Sequence, residues 1–184
     1  GALQDVLRAS DVTQADAQLL VSLVGFRESR YGPAHPAVGD TLSNLAALLS
    51  TADDYRRTRP VFEEALAARE KAVGPDHPDV AAIAVNLGDV LVQTGENAAA
   101  RRLYERALSI RETSLGADHP KVADALARLA RLDLSAGRYA EARPLLDRAL
   151  SIQQRKLGGD HPDVAATLAI LAELDVRRGA TSEG

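Results

Sequence analysis

Four His-Pro pairs divide this 184-residue chain at equal intervals. Each pair lies 42 residues after the previous one, and the histidines are His35, His77, His119 and His161. When residues 77–118 are laid over residues 119–160, 18 of 42 positions are identical without a gap. A fixed internal period of this kind is typical of repeat architectures, in which each structural unit packs against its neighbours in the chain.

Each repeat predicts two helices. In the second repeat, Pro78 suits the first helical turn, and Asp76 or His77 is the expected N-cap. Gly95 is expected to end the first helix and Gly116 the second; Gly137 and Gly179 match Gly95 in the later repeats. Apolar residues recur at helical spacing, namely Val80, Ile83, Ala84, Leu87 and Leu91, then Ala100, Leu103, Tyr104, Ala107, Leu108 and Ile110.

Small residues recur at three positions of the repeat. They allow two helices to approach closely while bulky neighbours fill the space around them. The small positions are Ala46, Gly88, Ala130 and Ala172 in the first helices, then Ala65, Ala107 and Ala149, and Thr58, Ala100 and Ala142, in the second helices. Because aromatic residues make up only 3% of the chain and alanine dominates its apolar set, the sequence predicts an all-α fold.

The period also sets the expected repeat boundaries. Because the chain begins with Gly1-Ala2 and contains no methionine, we expect it to be a fragment of a larger protein. We predict a partial repeat over 1–34 (mainly its second helix), full repeats over 35–76, 77–118 and 119–160, a first helix over 161–179 and a disordered tail over 180–184.

Composition argues against several functional classes. A net charge of −4 without a basic block disfavours nucleic-acid binding. No apolar run is long enough to span a membrane and no signal peptide is present, so we expect a cytoplasmic protein. The chain has no cysteine, and the periodic histidines are too far apart to converge on one ion, so we expect them to cap helices and pack repeats together. No catalytic motif stands out, and we expect neither enzymatic activity nor a cofactor.

The small and large residues of the second repeat, Leu87-Gly88, Gly95, Ala100, Tyr104 and Ala107, resemble the tetratricopeptide repeat signature. The 42-residue length, the Leu-Gly-x-Asp-His-Pro-x-Val junction and the Asn-Leu-Ala or Asn-Leu-Gly first helix are similar to the kinesin light chain subtype. The resemblance covers about residues 5–179 and implies a right-handed α-α superhelical solenoid, here from a larger bacterial protein. It also implies peptide or protein binding in a concave groove that the first helices line.

The resemblance indicates which residues would contact a ligand. Asparagines on the groove wall hold the ligand backbone in that family, and the matching positions are Asn44, Asn86 and Arg128. The Asn side chain offers a hydrogen-bond donor and an acceptor, and the Arg guanidinium can form paired hydrogen bonds to a carboxylate. Other expected groove residues are Ser43, Asp89, Gln93, Arg131 and Arg177. The alternative is that these residues belong to an ordinary solvated helix face.

Two features of the later repeats stand out. Asp133 and Asp175 occupy a position that holds Leu91 in the second repeat, and a buried carboxylate would need a partner there. The favoured explanation is a shift of the apolar register onto Leu134 and Val176, and the alternative is a functional carboxylate pair.

The last helix carries an apolar set that we expect to be exposed and to support self-association, namely Ile170, Leu171, Leu174 and Val176.

Three functions remain open on this evidence. The first is a scaffold that binds a protein or peptide in the groove. The second is a regulatory or sensor array of a larger signalling protein whose catalytic domain lies outside this sequence. The third is a structural module that self-assembles through its ends.

Overall fold

The structure is a computed structural model that describes residues 14–32, 35–51 and 55–182. Eight helices and no strand occupy these residues. None of the eight is long and apolar enough to cross a membrane. The helices are α1 (Gln14–Tyr31), α2 (Pro36–Thr51), α3 (Tyr55–Val73), α4 (Pro78–Gln93), α5 (Asn97–Leu115), α6 (Pro120–Ser135), α7 (Tyr139–Leu157) and α8 (Pro162–Ser182).

The chain divides into two compact units, Gly1–Leu103 and Tyr104–Gly184, with the boundary inside α5. In the first unit α1 packs on α2, α2 on α3 and α3 on α4. In the second unit α6 packs on α7, and α8 packs on both α7 and α6. Within each unit, therefore, helices pack against their neighbours in the chain, as expected of a repeat protein.

The histidines cap first helices, which confirms the capping role predicted from their spacing. In each repeat the imidazole Nδ1 accepts a hydrogen bond from the backbone N–H two residues later. The distance is 3.2 Å for His77 and 3.1 Å for His119. At the start of α4 the cap is His77 rather than Asp76. The proline that follows supplies the first helical residue, where a backbone N–H would have no partner.

Glycines in the left-handed region follow several helices. Gly74 and Gly116, with φ of +92° and +88°, follow α3 and α5, and Gly95, with φ of +82°, lies just after α4. The last helix departs from this pattern, because glycine permits a left-handed turn but does not impose one. The prediction that Gly179 ends α8 is wrong, and the expected disordered tail over 180–184 is helical as far as Ser182, with residues 183–184 outside the described range.

The predicted small positions are buried through most of the repeats. Ala65, Ala107 and Ala149 are fully buried, and so are Ala46 and Ala130. The bulky residues beside them are buried as well, namely Leu45, Leu87, Leu129 and Leu171 in the first helices and Phe62, Tyr104 and Leu146 in the second. Each such large side chain contributes about 1.5–3 kcal/mol by leaving water.

The last helix is better covered than the sequence indicates. Ile170, Leu171 and Leu174 are buried in a cluster with Leu134 of α6 and Leu146 of α7. The expectation that these three side chains are exposed is therefore wrong, because α8 lays one apolar face on the preceding helix pair. The fourth residue of that set, Val176, is exposed.

Candidate functional site

A pocket in the first unit brings together three of the expected groove residues. Asn86, Asp89 and Gln93 lie on one face of α4, three and four residues apart. They line a cavity of about 320 Å³ together with Ala47 of α2, Tyr55 and Phe62 of α3, and Val90. The pocket therefore combines amide and carboxylate groups with an aromatic and aliphatic wall.

The other two expected groove residues of this unit lie elsewhere. Asn44 is exposed on α2 and does not line the pocket. Ser43 is half-buried, and its hydroxyl donates a hydrogen bond of 2.8 Å to the backbone carbonyl of Gly39. That bond occupies the Ser43 proton within its own helix.

A larger cavity of the same unit lies away from these residues. It has a volume of about 530 Å³, and its lining is Glu28, Leu42, Glu64, Ala67, Ala68, Glu70, Lys71 and Pro75. Apart from Leu42, the helical residues in this lining belong to the second helices α1 and α3. None of the expected groove residues contributes to it, so this cavity and the sequence-predicted site are different places.

A second pocket with expected groove residues lies in the other unit, between α6 and α8. It has a volume of about 230 Å³ and brings together Arg128 and Arg131, which are the repeat equivalents of Asn86 and Asp89. Its remaining lining residues are Asp124, Ala127, Gln153, Asp163, Ala166, Thr167 and Ile170. Arg177 does not line this pocket, and its side chain pairs with Glu173 at 2.6 Å, one turn away on α8.

The two arginines of the second pocket differ in their surroundings. The Nε of Arg128 lies 3.0 Å from a carboxylate oxygen of Asp124, whose other oxygen lies 2.8 Å from Nη1 of Arg111. Arg131 is exposed and has no ion pair with any described residue. A ligand carboxylate would therefore meet a partly neutralised cation at Arg128 and a full positive charge at Arg131.

A periodic set of polar side chains joins neighbouring helices, a role that the sequence alone did not predict. The set consists of Arg27, Arg69, Arg111 and Gln153, and its 42-residue period is the signal that could have revealed it. Arg69, Arg111 and Gln153 are buried, although arginine and glutamine are usually exposed. All four lie on second helices and form hydrogen bonds with first helices.

The partners of these side chains recur with the repeat. Arg27 donates to the carbonyl of Ala37 at 2.9 Å, and Arg111 donates to the equivalent carbonyl, that of Lys121, at 2.6 Å. Arg27 also donates to the Thr41 hydroxyl at 2.6 Å. At the equivalent position in the last repeat, the Thr167 hydroxyl donates to the side-chain oxygen of Gln153 at 2.7 Å. These bonds tie a second helix to the first helix that follows it.

Arg69 makes a variant of this arrangement. It donates to Asp40 on the preceding first helix and, at 3.4 Å, to Asp79 on the following one. A Cβ built on Gly39 would lie 3.4 Å from Nε of Arg69, and the other first helices carry alanine at that position. An alanine at residue 39 would therefore be in van der Waals contact with the guanidinium.

The two unusual aspartates have different environments. Asp133 is buried, and its Oδ1 accepts a hydrogen bond of 2.7 Å from Nε of Arg138, which supplies the partner that a buried carboxylate needs. Asp175 is exposed and pairs with Arg143 at 2.8 Å. The predicted register shift is wrong for Val176, which is exposed because no described helix covers that face of α8.

The described side chains offer no metal centre. Across residues 14–32, 35–51 and 55–182, no group of three or more His, Asp or Glu side chains is arranged to hold a metal ion. The polar groups of the Asn86 and Arg131 pockets are mainly amides, carboxylates and guanidinium groups. These groups are suited to hydrogen bonding and ion pairing.

Comparison with known proteins agrees with the helical architecture. Solved structures with the same fold include BtubC (BKLC) from P. vanneervenii, at 23% identity and a TM-score of 0.74, with 90% of this chain and 66% of that chain covered. The chain thus spans just under two thirds of that protein. Another is a putative kinesin light chain from P. anserina with nearly identical TPR-like repeats, at 24% identity and a TM-score of 0.76. That match covers 93% of this chain and 81% of that chain. A point variant of that protein gives the same identity and coverage and a TM-score of 0.78.

These likenesses confirm the all-α repeat solenoid, with the fold of kinesin light chain-like repeats. No curated protein sequence matches the chain significantly. The sequence profile described as tetratricopeptide repeat matches residues 38–113, 79–153 and 121–183, which together cover most of the chain. The chain therefore belongs to the tetratricopeptide repeat family.

Proposed function

We propose that this chain is a scaffold that binds a peptide segment of a partner protein through its first helices. Tetratricopeptide repeats are generally protein–protein interaction modules. The observation that carries the finer proposal is that each unit has a pocket lined by polar residues of first helices. Asn86 and Asp89 of one pocket match Arg128 and Arg131 of the other at the repeat period.

The first pocket suits an extended backbone with a small apolar side chain. The amides of Asn86 and Gln93 each offer a donor and an acceptor, which is what a peptide group requires. Phe62 and Val90 supply the apolar part of the wall. A bulky aromatic side chain would be a poor fit for a cavity of about 320 Å³ that is shared with a peptide backbone.

The second pocket suits an acidic side chain. Arg131 offers an exposed guanidinium beside the apolar Ile170, so a glutamate or aspartate could pair with the charge while its methylene groups contact the isoleucine. Asp124 and Asp163 at the same pocket would repel a carboxylate that approached from their side. The preferred ligand is therefore a peptide with small aliphatic residues and a single acidic position.

Selection from a random peptide library displayed on phage tests this proposal. Selected peptides would be synthesised, and their affinity for the wild-type chain would be measured by fluorescence anisotropy. We expect the double variant Asn86→Ala/Gln93→Ala and the single variant Arg131→Glu each to weaken binding at least fivefold. Gln154→Ala and Arg102→Glu, which alter exposed residues on second helices, are matched controls and should change affinity less than twofold.

Two results would contradict the proposal. One is that no peptide is selected above the background of an unrelated helical protein. The other is that both pocket variants keep the wild-type affinity while their circular dichroism spectra show that they are folded.

A further inference from the structure

Gln153 interrupts the series of arginines that tie second helices to first helices. Arg27 and Arg111, at the same position of the repeat, reach backbone carbonyls of the following first helix at 2.9 and 2.6 Å. The glutamine side chain is shorter, and Ala166 stands where the preceding repeat has Asp124, a partner of Arg111. Gln153 and Ala166 both line the pocket between α6 and α8. The pocket therefore lies at a junction that lacks the arginine and the aspartate of the previous one.

The side-chain oxygen of Gln153 is already bonded to α8. The hydroxyl of Thr167 donates to this oxygen at 2.7 Å, and both side chains are buried. The equivalent threonine of an earlier repeat, Thr41, instead donates to the carbonyl of Ala37 and accepts from Arg27. Because Thr167 has no other acceptor among the described residues, its proton fixes which end of the glutamine amide faces it.

The N–H groups of the same amide have no acceptor. No residue in the described part of the chain accepts a hydrogen bond from them, although Gln153 is only 4% exposed. A buried donor is costly to leave unpaired, and such groups normally find a partner. Because Gln153 lines the pocket, a bound group can supply the missing acceptor there.

We propose that Gln153 is a specificity-determining residue of this pocket, in which its side-chain N–H donates to a side-chain carboxylate of the bound peptide. Arg131, which is exposed and has no ion pair with a described residue, would pair with the same carboxylate. The inference rests on the proposed binding of an acidic side chain here. A carboxylate has an oxygen for each donor, whereas a carboxamide has one oxygen and adds N–H groups of its own. The pocket should therefore distinguish glutamate from glutamine.

The acidic residues of the pocket favour a carboxylate over a more highly charged group. Asp124 is bound to Arg111 and Arg128, at 2.8 and 3.0 Å. Asp163 has no arginine or lysine partner among the residues that the structure describes. A phosphate group carries nearly two negative charges and would be repelled by Asp163 more strongly than a carboxylate.

Titration of the full chain with capped amino acids, followed by NMR, tests the proposal without a selected peptide. The probes are the N-acetyl N-methylamides of glutamate and glutamine, and N-acetyl-alanine, whose carboxylate is a chain terminus. Backbone amide shifts of α6 and α8 report binding at this pocket. For the wild type we expect the glutamate probe to saturate the pocket at millimolar concentrations, and the other two probes to bind at least fivefold more weakly.

Two substitutions of Gln153 separate its role in recognition from a structural role. Gln153→Met removes the donor with little change in length and should weaken the binding of the glutamate probe at least fivefold. Gln153→Glu keeps an acceptor for Thr167 but replaces the donor by a carboxylate, so this variant should prefer the glutamine probe. A purely structural role would not reverse the preference. Gln154→Glu, the same change at the exposed neighbour, is the matched control and should keep the wild-type preference.

Thermal unfolding verifies that each variant is folded, and Gln153→Met decides the test if Gln153→Glu is not. The inference is overturned, and the proposed function survives, if Gln153→Met binds the glutamate probe like the wild type while Arg131→Glu does not bind it. Equal binding of N-acetyl-alanine would overturn the assignment to a side chain. A wild type that does not bind the glutamate probe, or whose binding neither variant changes, would contradict both the inference and the proposed acidic site.

Discussion

Nη1 of Arg111 lies 2.8 Å from Oδ2 of Asp124, and the same guanidinium atom lies 2.6 Å from the carbonyl oxygen of Lys121. The arginine belongs to α5 and both partners to α6, so one buried side chain joins a second helix to the first helix of the next repeat. The same position of the repeat holds Arg27, Arg69 and Gln153. The junction between repeats is therefore polar as well as apolar.

Loss of the Arg111 guanidinium should destabilise the second unit. Arg111→Met keeps much of the side-chain volume but removes both hydrogen bonds, and we expect the free energy of unfolding to fall by about 1–3 kcal/mol. Urea denaturation followed by circular dichroism measures the change. Arg102→Met, at an exposed arginine of the same helix, should cost less than about 0.5 kcal/mol, and equal losses in the two variants would show that the junction contributes nothing.

The histidine caps should have a measurable effect on stability. His77→Ala removes the acceptor of the Asp79 backbone N–H, and we expect a loss of about 1 kcal/mol in the free energy of unfolding. His77→Asn restores a short polar acceptor and should recover most of that loss. The prediction fails if the alanine and asparagine variants have the same stability in thermal or urea denaturation.

Leu174 and Leu168 lie on the same helix but should respond differently to truncation. Leu174 is fully buried in the cluster that joins α8 to α7, so Leu174→Ala should cost about 2–5 kcal/mol. Leu168→Ala, at an exposed position, should cost less than about 1 kcal/mol in dilute solution, where association between copies is negligible. Similar losses in urea denaturation would mean that α8 does not pack as described.

Removal of Asp133 and removal of Arg138, which form an ion pair, should have different effects on the stability of the protein. Arg138→Ala removes the guanidinium that contacts a buried carboxylate, and we expect a loss of about 1–3 kcal/mol in the free energy of unfolding. Asp133→Leu introduces the residue found at Leu91 and releases an exposed arginine, which water can solvate. In urea denaturation that variant should equal or exceed the wild type in stability, and a loss as large as that of Arg138→Ala would contradict the reasoning.

Glu64 should make stability depend on pH. Partial burial, and then repulsion by Glu28, raise the pKa of Glu64 above its ordinary value of 4.5. A carboxyl group whose pKa is raised by folding is charged more readily in the unfolded chain, so it lowers stability as pH rises above about 4.5.

The Glu64→Gln variant removes this effect. It should therefore gain stability relative to the wild type at pH 7 and lose that gain at pH 3, by a few tenths of a kcal/mol because Glu64 is partly solvated. Thermal unfolding at the two pH values measures the difference. Glu63→Gln is the neighbouring control and should show no gain at pH 7, because Glu63 pairs with Arg59. The opposite trend for Glu64→Gln would refute the assignment.

The candidate site follows from the sequence only in part. Asn86 and Arg128 are identified by the resemblance, Asp89 and Gln93 follow Asn86 at helical spacing, and the structure places all four at pockets. Ser43 could not be assigned in this way, because only the folded helix shows its hydroxyl bonded to the Gly39 carbonyl. The recurrence of Arg69 at the repeat period is visible in the sequence, but a period alone does not distinguish a buried arginine from a solvated one.

The sequence by itself determined the local structure, because the signals are local. A His-Pro pair begins a helix, a glycine permits the turn after it, and a 42-residue recurrence of small and large residues specifies the helix contacts. Tertiary structure alone decided how completely each apolar face of α8 is covered. It buried Ile170, Leu171 and Leu174 against α7 and left Val176 in solvent. Those outcomes depend on contacts between residues of different helices, so no single segment of the sequence determines their free energy.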